Sequence, residues 1–172
     1  METIELVETF SDEEYLEQMV EIFLNVHNIG DRTSVEERFR RHSTYPGFRR
    51  SVAIDDENKV LGFVYGYTSL PEQFYNGKLR AQMTYEQVEK WLSNCFEFVE
   101  LAVDPYYHRN GLGSKLHDSI LEKTTHKTSI LTTGAEMAAA QALYKRKGWE
   151  TIQTDVDVLG AGKRQLIMGK KL

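Results

Sequence analysis

Residues 96–116 read FEFVELAVDPYYHRNGLGSKL, and their order describes a device for holding an anion. An apolar run from Phe96 to Val103 stops at Asp104-Pro105, a short polar turn leads to Gly111-Leu112-Gly113, and a helical pattern follows. Free N–H groups at a helix start, with the positive end of the helix dipole, favour a phosphate. Glycines at that point let a ligand approach the backbone closely. Two familiar phosphate loops do not fit the spacing. A Walker loop needs G-x-x-x-x-G-K-[ST], but Ser114-Lys115 follow Gly113 in the reverse order and no glycine stands five positions before it. A dinucleotide fingerprint needs G-x-G-x-x-G near the start of its domain, and here Leu116 holds the last position. A nucleotide held by either loop is therefore not expected.

A third loop does fit. V-D-P-x-x-H-R-N-G-L-G, Val103 to Gly113, resembles the cofactor loop of the GNAT acyltransferases, written [QR]-x-x-G-x-[GA] after a strand ending in V-x-P. It agrees at Pro105, Gly111 and Gly113 and departs at His108, where Gln or Arg is usual; Arg109 beside it offers a cation instead. Downstream, Ala140-Gln141-Ala142-Leu143-Tyr144-Lys145-Arg146-Lys147-Gly148-Trp149 resembles the family's A-x-x-L-Y-x-x-x-G-[FW] segment. Met137 stands where that family often has Asn, a second departure. The resemblance spans residues 50–172; the first 45 fit only in their pattern of elements.

The resemblance implies acetyl-CoA as cofactor. It places the pyrophosphate on backbone N–H groups from Arg109 through Asn110, Gly111, Leu112 and Gly113 to Ser114, with His108 and Arg109 as phosphate contacts. It pairs the pantetheine arm with the strand edge at Leu101 and Val103, the Val103 amide facing the thioester carbonyl. It makes Tyr144 the general acid for the leaving thiolate, or a group that only positions the sulfur; read without the family, Tyr144 is a half-buried aromatic on an amphipathic helix. The implied fold is α/β, three α/β/α layers around a mixed, mostly antiparallel sheet. The implied reaction is N-acetyl transfer by direct attack of a primary amine. The other reading is a CoA-binding sensor or interaction module without catalysis.

Such a transfer has physical demands that the residues can be tested against. The attacking amine must be neutral, although a free alkylamine has a pKa of about 10.4. The oxyanion needs donors, and the thiolate gains from a proton. Glu100 interrupts an apolar strand and is the candidate base, since burial raises a carboxyl pKa toward a useful value. The alternatives are a salt-bridged strand carboxylate at Glu100, a water acting as base, or Glu97. On a regular strand Glu97 and Glu100 point to opposite faces, so they do not form a pair unless the strand bulges. No metal-site spacing is present, and His27, His42, His117 and His126 are scattered, reading as structural or solvated. Cys95 reads as a packing residue. Lys145-Arg146-Lys147 reads as dipole compensation at a helix end, or as attraction for the cofactor's 3′-phosphate. Tyr65, Tyr67, Phe74, Tyr75 and Tyr85 with Glu72, Glu97 and Glu100 read either as an aromatic, acidic pocket for a cationic amine or as packing of a loop over the sheet edge. Trp91 reads as a packing anchor.

Composition bounds these readings. A chain of 172 residues reads as one domain, 1–172. At 41% hydrophobic it can build a core, and at a net charge of −5 it lacks the basic face that nucleic acids require. No run of about 18 apolar residues predicts a membrane span. One cysteine and an acidic start without signal-peptide character predict a cytoplasmic setting. The acceptor is expected to be a small-molecule or peptide amine, and the last strand offers an edge for a homodimer.

Periodicity supplies the elements that must position these groups. Strands are predicted at 2–8, 48–55, 60–69, 96–103, 128–133, 149–155 and 164–168, with a hairpin turn at Asp55-Asp56-Glu57-Asn58. Ser11 and Glu14 have capping-box spacing before a helix with Tyr15, Met19, Phe23 and Val26 on one face, ended near Gly30. Ser34 and Glu37 predict a second helix to about Arg41. Residues 70–84 read as a loop, Thr84 or Tyr85 as a helix start, and Met137–Lys147 as a helix ended by Gly148.

Overall fold

The computed structural model describes residues 3–10, 13–28 and 30–172. In chain order its elements are β1 (Glu5–Glu8), α1 (Leu16–His27), α2 (Arg32–Ser43), β2 (Arg49–Ile54), β3 (Val60–Thr68), α3 (Phe74–Ala81), α4 (Tyr85–Leu92), β4 (Cys95–Val103), a 3-10 turn at Pro105–Tyr107, α5 (Leu112–Leu121), β5 (Thr128–Gly134), α6 (Ala138–Arg146), β6 (Glu150–Val156) and β7 (Gln165–Lys171). The seven strands make one mixed sheet in the order β1-β2-β3-β4-β5-β7-β6, as the α/β expectation required. By internal contacts the chain divides into two units, Met1–Tyr67 with Val99–Thr124, and Thr68–Phe98 with Thr125–Leu172.

In the first unit β1, β2 and β3 form an antiparallel meander. Alternation sorts its side chains. Val52, Ile54, Phe63 and Tyr65 share a core with Leu16, Met19, Val20 and Phe23 of α1 and Val35 and Phe39 of α2. The intervening positions face the other way, where Leu116 of α5 comes within 3.0 Å of a Cβ built at Gly62. Helices on both faces of the strands make three layers here. The hairpin turn is closed by Asp55, whose carboxylate accepts from Glu57 N–H at 2.8 Å and Lys59 N–H at 2.9 Å.

Two helix ends differ from the sequence expectation. Ser11 of the expected capping box lies outside the described residues, and α1 opens at Leu16 behind Tyr15 in the left-handed region. Asn28, not Gly30, ends α1: at φ 52 its N–H returns to Leu24 O, a conformation asparagine tolerates better than other residues with a Cβ. Asp31, not Ser34, caps α2. Its carboxylate accepts from Ser34 N–H, which starts the helix three residues earlier and holds the carboxyl pKa below its usual value.

In the second unit Cys95–Glu97 of β4 pair in parallel with Thr128–Ile130 of β5. Antiparallel ladders then join β5 to β7 and β7 to β6. Leu79, Trp91, Leu92, Cys95, Ile130, Val156, Val158 and Ile167 form its core. Trp91 is thus the anchor expected of it. The predicted loop 70–84 contains α3, which the sequence conceals because Asn76 and Gly77 are poor helix formers. Tertiary bonds override that: buried Asn76 Nδ2 donates to Ser69 Oγ at 2.9 Å, and Arg80 Nε donates to Asn76 Oδ1 at 2.7 Å. At α4 the capping box of Thr84 and Gln87 is complete. Gly148, at φ 90, follows α6 as expected.

Candidate active site

The loop after β4 is built by local rules. Pro105 follows the strand, and Asp104 bonds both ways: its N–H donates to Leu61 O at 2.8 Å and its side chain accepts from Tyr106 N–H at 3.0 Å. The chain then makes a 3-10 turn, passes Arg109 in the left-handed region at φ 70, and enters α5 through Gly111 at φ 73. As N-cap, Gly111 has no side chain to bond the N–H groups of the first turn. A Cβ built on it meets nothing within 4 Å. The first-turn donors of α5 therefore open on free space, with the dipole's positive end behind them. Arg109, Asn110 and Gly111 are exposed, Gly113 and Ser114 half-buried and Leu112 buried in the core.

His108 has a second occupation that the sequence did not reveal. Its Nε2 lies 2.9 Å from Val103 O. A carbonyl only accepts, so Nε2 carries the proton and the ring ties the loop back to the end of β4.

Glu100 lies in the same unit as the loop. Val99 packs into the core closed by α1 and α2, and Glu100, the next residue, reaches those same two helices. Arg38 Nη2 of α2 stands 3.4 Å from its Oε1, and His27 Nε2 of α1 stands 3.6 Å from its Oε2. Successive residues sharing a side depart from strict strand alternation. The Glu100 side chain is 14% exposed, partly buried as expected, and it is also the ion-paired carboxylate that the sequence left open. No sequence signal marks His27 or Arg38, which are remote in the chain and look like ordinary helix-end and surface residues.

Tyr144 belongs to the second unit. It is 7% exposed, its ring edge-on to Phe98 and Trp149 with centroids 5.8 Å away in each case. Glu97, also there, is 3% exposed. Cys95 is buried, and burial first of all, with the Glu97 charge adding, pushes its thiol pKa well up; it packs rather than reacts. Among the described residues no cluster of potential metal ligands occurs.

The acceptor-side aromatics fall in both units. Tyr65 and Tyr67 are each 1% exposed and belong to the first unit's interior, where Tyr65 Oη shares a 2.7 Å hydrogen bond with His42 Nδ1. Burial, with Arg38 and Arg41 nearby, holds the His42 pKa down to about 3. Phe74 and Tyr85 are 70% and 75% exposed, and Tyr75 Oη bonds Thr132 Oγ1 at 2.6 Å. Tyr65 and Tyr67 lie on β3, which is buried on both faces, whereas Phe74 and Tyr85 each stand at the start of a helix.

A family model described as the acetyltransferase (GNAT) family matches residues 13–149. The chain belongs to that family. A comparison with curated protein sequences gave no match. Among solved structures, a GNAT-family acetyltransferase from Staphylococcus aureus Mu50 is similar at 17% identity, TM-score 0.71, with 99% of each chain covered. An acetyltransferase from Streptococcus agalactiae 2603 is similar at 16% identity, TM-score 0.71, with 98% of each covered. Arabidopsis thaliana NAA60, solved with a bisubstrate analogue, is similar at 14% identity, TM-score 0.70, with 98% of this chain and 99% of that one covered. At these identities the likeness concerns the fold, and it is the GNAT fold. Acetyl transfer is the general activity of this GNAT chain. GNAT enzymes generally draw on acetyl-CoA and act on amines, and the bare first turn of α5 suits a pyrophosphate.

Proposed function

We propose that this protein, as one catalytic domain over residues 1–172, transfers the acetyl group of acetyl-CoA to a primary amine by direct attack. The observation that carries the reading is the glycine-capped, side-chain-free start of α5 directly after β4. Bound acetyl-CoA supplies an activated acyl thioester. Backbone N–H groups from Arg109 to Ser114 hold its pyrophosphate, and Arg109 adds charge. His108, with Nε2 committed to Val103 O, contacts a phosphate through Nδ1 when the ring is protonated. The Leu101 and Val103 backbone lies past the three-residue ladder with β5 and binds the pantetheine arm. Glu100, directly or through a water, takes a proton from the acceptor's ammonium, and the neutral amine then attacks the thioester carbon. The Tyr144 hydroxyl gives one to the departing thiolate. The buried thiol of Cys95 and the absence, among the described residues, of a helix long and apolar enough to cross a membrane fit a cytoplasmic enzyme.

The engagement of Glu100 by Arg38 favours a second reading, a CoA-binding module without turnover. A thermal-shift titration with acetyl-CoA, CoA, ATP and NAD, followed by thiol release over an amine panel, separates them. A ligand that binds only the folded state stabilises it by about 2.7 kcal/mol at a hundred times its Kd. Saturable stabilisation by acetyl-CoA with amine-dependent thiol release supports the enzyme; stabilisation without release supports the module. Stabilisation by ATP or NAD alone overturns both.

A further inference from the structure

One charge array in the first unit is not used up by the fold. Arg38 sits beside two rings that meet edge to face, its guanidinium carbon 4.8 Å from the Phe23 centroid and 5.5 Å from that of Phe39. Among the described residues its single polar partner is Glu100, and that contact, 3.4 Å from Nη2, is long for a charge-assisted bond. The side chain is 34% exposed. A guanidinium offers five N–H donors in a fixed fork that matches a carboxylate. Here the rings hold the guanidinium in place while most of its donors stay unused. On the other side, Glu100 Oε2 accepts no hydrogen bond among the described residues; His27 Nε2, 3.6 Å away, is itself buried without a hydrogen-bond partner.

We infer that the acceptor is an α-amino acid, its carboxylate taken by the Arg38 fork and its amine by Glu100 Oε2. This rests on the acetyl-transfer reading above. An α-amino acid carries one cation and one anion side by side, the reverse image of the Arg38–Glu100 pair. A polyamine would bring further positive charge against a resident guanidinium, and a peptide N-terminus has no α-carboxylate to fill the fork. The array thus selects by charge before side-chain shape matters.

The test measures acetyl-CoA-dependent thiol release with two series of amines. One holds the common α-amino acids, among them L-phenylalanine and L-leucine. The other lacks the carboxylate: phenethylamine, 3-methylbutylamine, spermidine and a short peptide amide with a free N-terminus. The expected result is a kcat/KM at least about tenfold higher for L-phenylalanine or L-leucine than for its decarboxylated partner, the size of one charge-assisted pair. In Arg38→Gln that ratio should fall about tenfold to a hundredfold through KM for the amino acid, with Arg38→Lys in between. Melting curves confirm that each variant is folded, and the wild-type ratio decides the matter even if neither is. Turnover confined to, or faster with, the carboxylate-free series overturns the inference and leaves the enzyme assignment standing. Turnover with neither series, while acetyl-CoA still stabilises the protein, overturns the amine transfer itself and this inference with it.

Discussion

The two halves of β4 share one backbone and meet different surroundings. Cys95, Phe96, Glu97 and Phe98 are all buried, whereas Val99, Glu100 and Leu101 are half-buried. The first half is held by its ladder to β5 and by the rings of Tyr144 and Trp149 against Phe98. The second half turns a carboxylate to His27 of α1 and Arg38 of α2. Each half carries a glutamate, so residue type does not distinguish them. What distinguishes them is that the first half serves packing on both sides while the second presents groups with spare bonding capacity.

The largest effect should come from breaking the packed half. Phe98→Ala removes a buried ring and should cost about 3–5 kcal/mol, read by urea denaturation. A loss below about 1 kcal/mol would show that this half is no tighter than the other. On the presenting half, Glu100→Gln keeps its shape and can still accept from Arg38. It should lower kcat by about a hundredfold while changing stability by about 1 kcal/mol or less. If Glu97→Gln instead gives the larger kinetic loss, the base lies in the buried half. Tyr144→Phe preserves the ring contact with Phe98 and deletes only the hydroxyl. A fall in kcat of about tenfold to a hundredfold with an unchanged melting temperature marks proton donation; undiminished turnover removes Tyr144 from the mechanism.

Behind Arg38 on α2, His42 gives a pH signature of the presenting side. Its pKa is about 3 in the fold against 6.5 ordinarily, so the unfolded chain binds more protons below pH 6.5 and stability falls as pH falls. The slope approaches about 1.4 kcal/mol per pH unit, so urea melts at pH 6.5 and 5 should differ by about 2 kcal/mol. His42→Gln should flatten that interval, and an equal slope in the variant would assign it to other groups. The smallest effect is expected at the cap of α4, which packs on Cys95: Thr84→Ala should cost about 1 kcal/mol by thermal melting.

What the sequence made legible is what local chemistry decides. Alternation placed β1, the Asp55-Asp56-Glu57-Asn58 turn separated β2 from β3, Thr84 or Tyr85 marked the start of α4, and Gly111 marked the start of α5, because a glycine with positive φ works through its own backbone. Less legible was whatever depends on partners distant in the chain. α3 is held by Asn76 reaching Ser69, against its own helix propensity. The ties of Glu100 to His27 and Arg38, and of His108 to Val103, involve side chains whose spacing carries no period. The tyrosines were close enough in sequence to suggest a pocket, and Tyr65 and Tyr67 are buried because both faces of β3 are covered by partners distant in the chain.

Gly169 on β7 carries one more consequence. A methyl group there would stand 2.5 Å from Trp91 Cε3 and 2.7 Å from Ile152 Cδ1, in the second unit's core. The indole of Trp91 has no softer end to yield, so its plane rests where a side chain would otherwise begin. The two positions are thereby bound to a common history. A descendant of this sequence can enlarge residue 169 only after residue 91 has shrunk, and a library randomised at 169 alone should return glycine.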